Sequence, residues 1–179
     1  MLRKLGLGAD HPNTLTSMNN LALAYKTAGR LAEALPLYEQ TLALRKAKLG
    51  PEHPETLTSM NNLALAYQAA GRLDEAETLF REGLEQSRQK NATRPGSDPG
   101  SEGMFLHHLA DLLRQKNELV EARQLAEEAV TLYQRHPGLP VNEIRHAWNV
   151  LASLQEAQGD PDGAKNSRRE ALRVQKPAR

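Results

Sequence analysis

The chain copies itself. Residues Leu7–Lys48, LGADHPNTLTSMNNLALAYKTAGRLAEALPLYEQTLALRKAK, return as Leu49–Lys90, LGPEHPETLTSMNNLALAYQAAGRLDEAETLFREGLEQSRQK, at an offset of 42 residues, with well over half the positions identical. Two weaker copies follow. HHLADLLRQKNELVEARQLAEEAVTLY (His107–Tyr133) aligns with the second copy at an offset of 46, and NVLASLQEAQGDPDGAKNSRREAL (Asn149–Leu172) at an offset of 88. A period of this size marks a stacked repeat architecture, in which no unit can bury its apolar face without a neighbour.

Each copy reads helix, tight turn, helix. A small residue recurs at one place in each half: Ala22, Ala64, Ala110 and Ala152 in the first, Ala34, Ala76, Ala122 and Ala164 in the second. Between the halves stands a residue tolerant of left-handed backbone (Gly29, Gly71, Asn117, Gly159), as a helix closure needs. Pro12 suits a helix start, and the lead-in ADH before it offers cap candidates. At about 100° per residue, Met18, Leu21, Ala22 and Tyr25 share one side of the first helix, while Thr16, Asn19, Asn20, Leu23 and Thr27 share the other. Leu31, Ala34, Leu35, Tyr38 and Leu42 form the stripe of the second helix. The expected fold class is all-α, with eight helices and no sheet.

Composition agrees. Apolar residues make up 39% and aromatics 4%, so the core must be Leu and Ala, which head the helix-propensity scale. A formal net charge of +1 argues against a phosphate-binding surface. With no cysteine, disulfides, thiol catalysis and thiolate metal sites are excluded. No apolar run approaches the roughly 20 residues that span a bilayer, and MLRKLGLG is no signal peptide, so a cytoplasmic location is expected.

The pattern resembles the tetratricopeptide repeat in its 42-residue, kinesin-light-chain-like form, common in bacterial proteins. The residues that carry the resemblance are Leu21, Ala22, Tyr25, Ala34 and Tyr38 in the first copy, and Leu63, Ala64, Tyr67, Ala76 and Phe80 in the second, with the HP-x-T lead-in and the NNLALAY…AGRL…EA core. It implies a right-handed solenoid of about four helix-turn-helix units. The chain departs from the pattern toward its end: Tyr67 corresponds to Leu113 and then Gln155, and Phe80 to Ala126 and then Arg168. Such departures suit a terminal unit whose outer face meets water.

The expected division is a remnant of a preceding repeat at 1–6, repeats at 7–48 and 49–90, a flexible Gly/Pro/Ser loop at 91–103, repeats at 104–136 and 137–175, and a tail at 176–179. On this reading the chain is expected to be a piece, the C-terminal one, of a longer repeat protein.

The doubled asparagine in TSMNNLALAY raises the functional question, since it lies off the core stripe. One reading is bracing: Asn19, Asn20, Asn61 and Asn62 tie neighbouring helices together, Asn20 and Asn62 more so than the other two. The other follows from the resemblance, which implies that first helices line a concave groove where asparagines grip the backbone of an extended peptide; an amide supplies both donor and acceptor. Asn19, Asn61, His107 and Asn149 occupy one equivalent position. Between these rungs lie Leu23 and Leu65, then Asp111 and Ser153, expected to form pockets and polar contacts; Thr16, Thr58 and His146 complete the expected groove.

No catalytic residue, cofactor or metal is expected. His107 and Asp111 form an i, i+4 pair with His146 on the next first helix, but no HExxH motif accompanies them, and groove lining is the preferred role. GxSxG, P-loop and Rossmann glycine patterns are missing. The expected function is a non-catalytic protein-interaction scaffold whose partner is a protein or peptide, with neither nucleic acid nor membrane. The alternatives are a regulatory C-terminal region of a larger enzyme, such as a bacterial serine/threonine kinase, and a self-assembly module forming weak homodimers through exposed repeat ends.

Overall fold

The computed structural model describes residues 8, 10–95 and 98–174. Among them are eight helices and no strand: α1 (Pro12–Thr27), α2 (Leu31–Leu49), α3 (Pro54–Ala69), α4 (Leu73–Thr93), α5 (Pro99–Gln115), α6 (Leu119–Arg135), α7 (Val141–Ala157) and α8 (Pro161–Arg173). The remnant at 1–6 and the tail at 176–179 lie outside the described residues.

Each hairpin is punctuated by its own sequence. At the start of α1 the His11 ring accepts a hydrogen bond from Asn13 N at 3.2 Å, and Pro12 fills a position that needs no N–H. His53 repeats this at α3. The two His-Pro histidines, 42 residues apart, are thus helix caps. Asp98 and Asp160 cap α5 and α8 in the usual carboxylate way. Gly29, Gly71, Asn117 and Gly159 all adopt positive φ, between 64° and 77°. Each lets the following N–H reach back five residues, as in Arg30 N to Tyr25 O (2.9 Å) and Glu118 N to Leu113 O (2.8 Å).

The chain forms two compact units, Met1–Gln86 and Ser87–Arg179, and the division falls inside α4. In the first, α2 packs on both α1 and α3; in the second, α6 packs on α5 and α7, and α7 on α8. All eight recurrent alanines are buried, which allows close approach of the helix backbones. Tyr38, Phe80, Phe105 and Tyr133 are the largest buried side chains. In the last repeat the departures from the pattern are accommodated: buried Gln155 accepts from Ser167 Oγ at 2.8 Å, and exposed Arg168 pairs with Glu156 at 2.7 Å.

The stretch 91–103 is not the loop its composition predicts. α4 continues to Thr93 and α5 begins at Pro99, so only 94–98 lie outside helices, with 96 and 97 outside the described residues. Side chains from both ends hold the connection. Asn91 accepts from Asp98 N (2.9 Å) and donates to Glu102 Oε2 (2.7 Å), and Lys90 Nζ meets Asp98 Oδ2 at 2.8 Å. Gly103 is a helical residue in α5: a Cβ there would stand 2.7 Å from Tyr133 Cζ. Its lack of a side chain serves packing, not mobility.

Candidate functional site

In the first unit the expected site residues lie on α1 and α3. Thr16, Asn20 and Leu23 are exposed along α1, Leu23 at 44%. Asn19, Asn62 and Leu65 are half-buried, Thr58 is exposed with its hydroxyl donating to Pro54 O, and Asn61 is only 5% exposed. Asn62 Nδ2 donates to Asn19 Oδ1 at 3.1 Å, clasping α3 to α1. The side chain of Asn20 makes no such bond among the described residues. The doublet therefore splits in role: one asparagine clasps, and its neighbour in α1 faces solvent.

In the second unit Asn149 is exposed on α7, and Ser153 donates its hydroxyl to Asn149 O at 3.0 Å. Asp111 is half-buried and accepts from Arg114 (2.8 Å) and Gln115 (3.1 Å). His107, expected at the groove, is fully buried, so its ring cannot touch a ligand on the surface. Its Nδ1 lies 2.8 Å from Gly103 O and 3.2 Å from Tyr133 Oη, and its Nε2 lies 3.3 Å from Glu143 Oε2 without forming a hydrogen bond. His146, exposed on α7, has its ring centroid 4.9 Å from that of His107, and His108 stands 4.3 Å from His107 and 5.7 Å from His146.

These neighbours shift one another. Burial pushes the His146 imidazole below its ordinary range, reinforced by His107 and opposed by Asp111 and Glu143. The His107 ring beside Glu143 holds that carboxyl below the usual range, against burial. Burial pushes the Tyr133 phenol up, with Glu143 adding to the effect. The three histidines place one ligating nitrogen each within 4.8 Å of one another, a metal-type grouping where none was expected. The sequence reading paired His107 with Asp111 and passed over His108 and Glu143. The missed signal was a doublet: His107-His108 stands where Asn61-Asn62 stands one repeat earlier.

Helical hairpins closed by left-handed residues and packed through buried alanines define a helical-repeat protein. Two tetratricopeptide-repeat family models match the sequence, one over residues 2–47 and 22–89 and the other over 104–138. The chain belongs to the tetratricopeptide-repeat family. No curated protein matches the chain as a relative. Among solved structures, a kinesin-light-chain protein of Podosopora anserina with nearly identical TPR-like repeats is 29% identical at a TM-score of 0.70, covering 94% of this chain and 78% of that one. A point variant of it is 28% identical at 0.71, covering 98% and 78%. BtubC (BKLC) from P. vanneervenii matches at 0.75 over 93% of this chain and 68% of that one; at 22% identity it bears on the fold alone. Tetratricopeptide repeats generally mediate protein–protein interaction and are generally non-catalytic scaffolds. Among the described residues, no helix is long and apolar enough to cross a membrane.

Proposed function

We propose that the chain is a docking scaffold that binds an extended protein segment along the exposed faces of its first helices. The observation that carries this reading is the row Thr16, Asn20, Leu23 on α1: a side-chain amide without a partner, one turn from an exposed leucine. An amide of this kind offers a donor and an acceptor to a peptide backbone whatever its side chains, and the leucine adds apolar contact. Thr58 and half-buried Leu65 extend the face onto α3. Asn149, with Ser153 and His146 beside it on α7 and Asp111 on α5, supplies the corresponding row in the second unit. Asn19, Asn61, Asn62 and His107 serve as the supporting layer, being buried or already bonded to neighbours.

Selection of peptides from a random displayed library against the whole chain, followed by mapping of backbone amide shifts, tests the reading. Bound peptides are expected to perturb Thr16–Leu23 first. Perturbations confined to α2 or α6 would reject the first-helix face as the docking surface.

A further inference from the structure

We propose that His107, His108 and His146, together with Glu143, form a binding site for one divalent transition-metal ion of the zinc class, fastening α5 to α7.

The grouping departs from the repeat. Where α1 and α3 meet through an amide clasp, α5 and α7 meet through three imidazoles and a carboxylate. Helical positions occupied by Asn61, Asn62 and Thr58 in the second repeat hold His107, His108 and His146 in the third and fourth. The ring centroids lie 4.3, 4.9 and 5.7 Å apart, and one ligating nitrogen of each falls within 4.8 Å of the others.

The chemistry of His107 points to a cation independently. Gly103 O can only accept, so the Nδ1 that lies 2.8 Å from it carries the ring proton. Its Nε2 is fully buried, has no hydrogen-bond partner, and faces Glu143 Oε2 at 3.3 Å. A ring nitrogen and a carboxylate oxygen this close need a positive centre between them, which a second ring proton or a metal ion supplies, and the two further imidazoles at the same point favour the metal. Zinc bonds of about 2.0–2.1 Å in a tetrahedron put neighbouring donors about 3.3–3.4 Å apart, which the His107–Glu143 pair already matches at 3.3 Å, while the three ring nitrogens, within 4.8 Å of one another, close the remainder on binding. A ligating histidine that gives its other N–H to a backbone carbonyl is the usual outer shell of such sites, fixing tautomer and ring plane.

The rest of the set fits. Three nitrogens and one oxygen suit zinc, nickel, cobalt or copper, whereas magnesium and calcium prefer oxygen. His146 is exposed, which gives the ion a way in and leaves this ring free to swing the last distance inward. Glu143 and His146, three residues apart on α7, present both donors from one helical face.

Calorimetric titration of the whole chain, purified without a polyhistidine tag, with zinc chloride tests this, paired with melting curves in zinc and in EDTA. The expected result is saturation at one ion per chain, a melting temperature raised by zinc and restored by EDTA, and affinity lowered about tenfold or more in both His146→Ala and His108→Ala. His136→Ala, which changes a histidine outside the grouping, is expected to bind as the parent does. Absence of saturable binding overturns the proposal. So does binding that survives in the His108→Ala/His146→Ala double variant, because the ion would then sit elsewhere. A cluster that accepts only protons would show a melting temperature indifferent to zinc, and that result also overturns it.

Discussion

Asn62 donates its side-chain amide to the Asn19 carbonyl oxygen across 3.1 Å, and the two residues occupy different places in their repeats: Asn19 is the first asparagine of its doublet, Asn62 the second of the next. This staggered pairing gives a physical reason for the doublet. The clasp takes one member of each doublet, Asn19 on α1 and Asn62 on α3, and leaves Asn20 to solvent. The bracing role was expected of Asn20 and Asn62; it falls on Asn62 and Asn19.

That clasp is measurable. Asn19→Ala and Asn62→Ala are each expected to lower stability by about 0.5–1.5 kcal/mol, the worth of one partly buried hydrogen bond. The double variant should lose less than the sum, since either change already breaks the bond. Denaturant melts of the four proteins give the coupling directly. Strict additivity would mean that the contact carries no energy.

Gly103 is expected to be intolerant of even one methyl group. An alanine Cβ would meet Tyr133 at 2.7–2.9 Å, against a ring held in place by burial, so Gly103→Ala should cost about 1–3 kcal/mol. Gly138→Ala is the control: nothing lies within 4 Å of the added carbon, and stability should stay within about 0.5 kcal/mol. Equal melting temperatures for the two variants would contradict the packing described for α5 and α6.

Asp98 ties stability to pH. Burial pushes its carboxyl up, but the hydrogen bonds from Lys90 and Ser101 outweigh that and hold it below the ordinary 3.8. A carboxyl depressed in the folded state stabilises above its unfolded value, and the contribution is lost as pH falls through the folded one. Asp98→Asn keeps an oxygen for the cap and removes the charge. It is expected to cost about 1 kcal/mol at neutral pH, with the difference from the parent vanishing once the medium is acidic enough to protonate Asp98. A deficit that persists unchanged at low pH would assign it to the cap and not to the charge.

The helices and their turns were legible because their causes are local. Gly29, Gly71, Asn117 and Gly159 announce the left-handed closures, and the alanine pairs mark where helices touch. The misreadings share another origin. NATRPGSDPGSEG looks like a linker because what holds its described residues in place sits elsewhere: Gly103 answers to Tyr133, thirty positions on, and Asn91 reaches Asp98 and Glu102. His107 likewise looked like a groove residue from its repeat position, and its burial follows from tertiary packing that no periodicity encodes.

The central claim is that clasping and docking fall to different asparagines of α1 and α3, and Asn20→Ala set beside Asn62→Ala tests it most directly. Melting temperature and affinity for one library-selected peptide are measured on both proteins. Asn20→Ala should melt as the parent does and bind about 5- to 150-fold more weakly, the loss of about 1–3 kcal/mol for a peptide group left unpaired. Asn62→Ala should melt earlier and, once folded, bind nearly as the parent does. An Asn20→Ala protein that melts early yet binds its peptide undiminished would contradict the account.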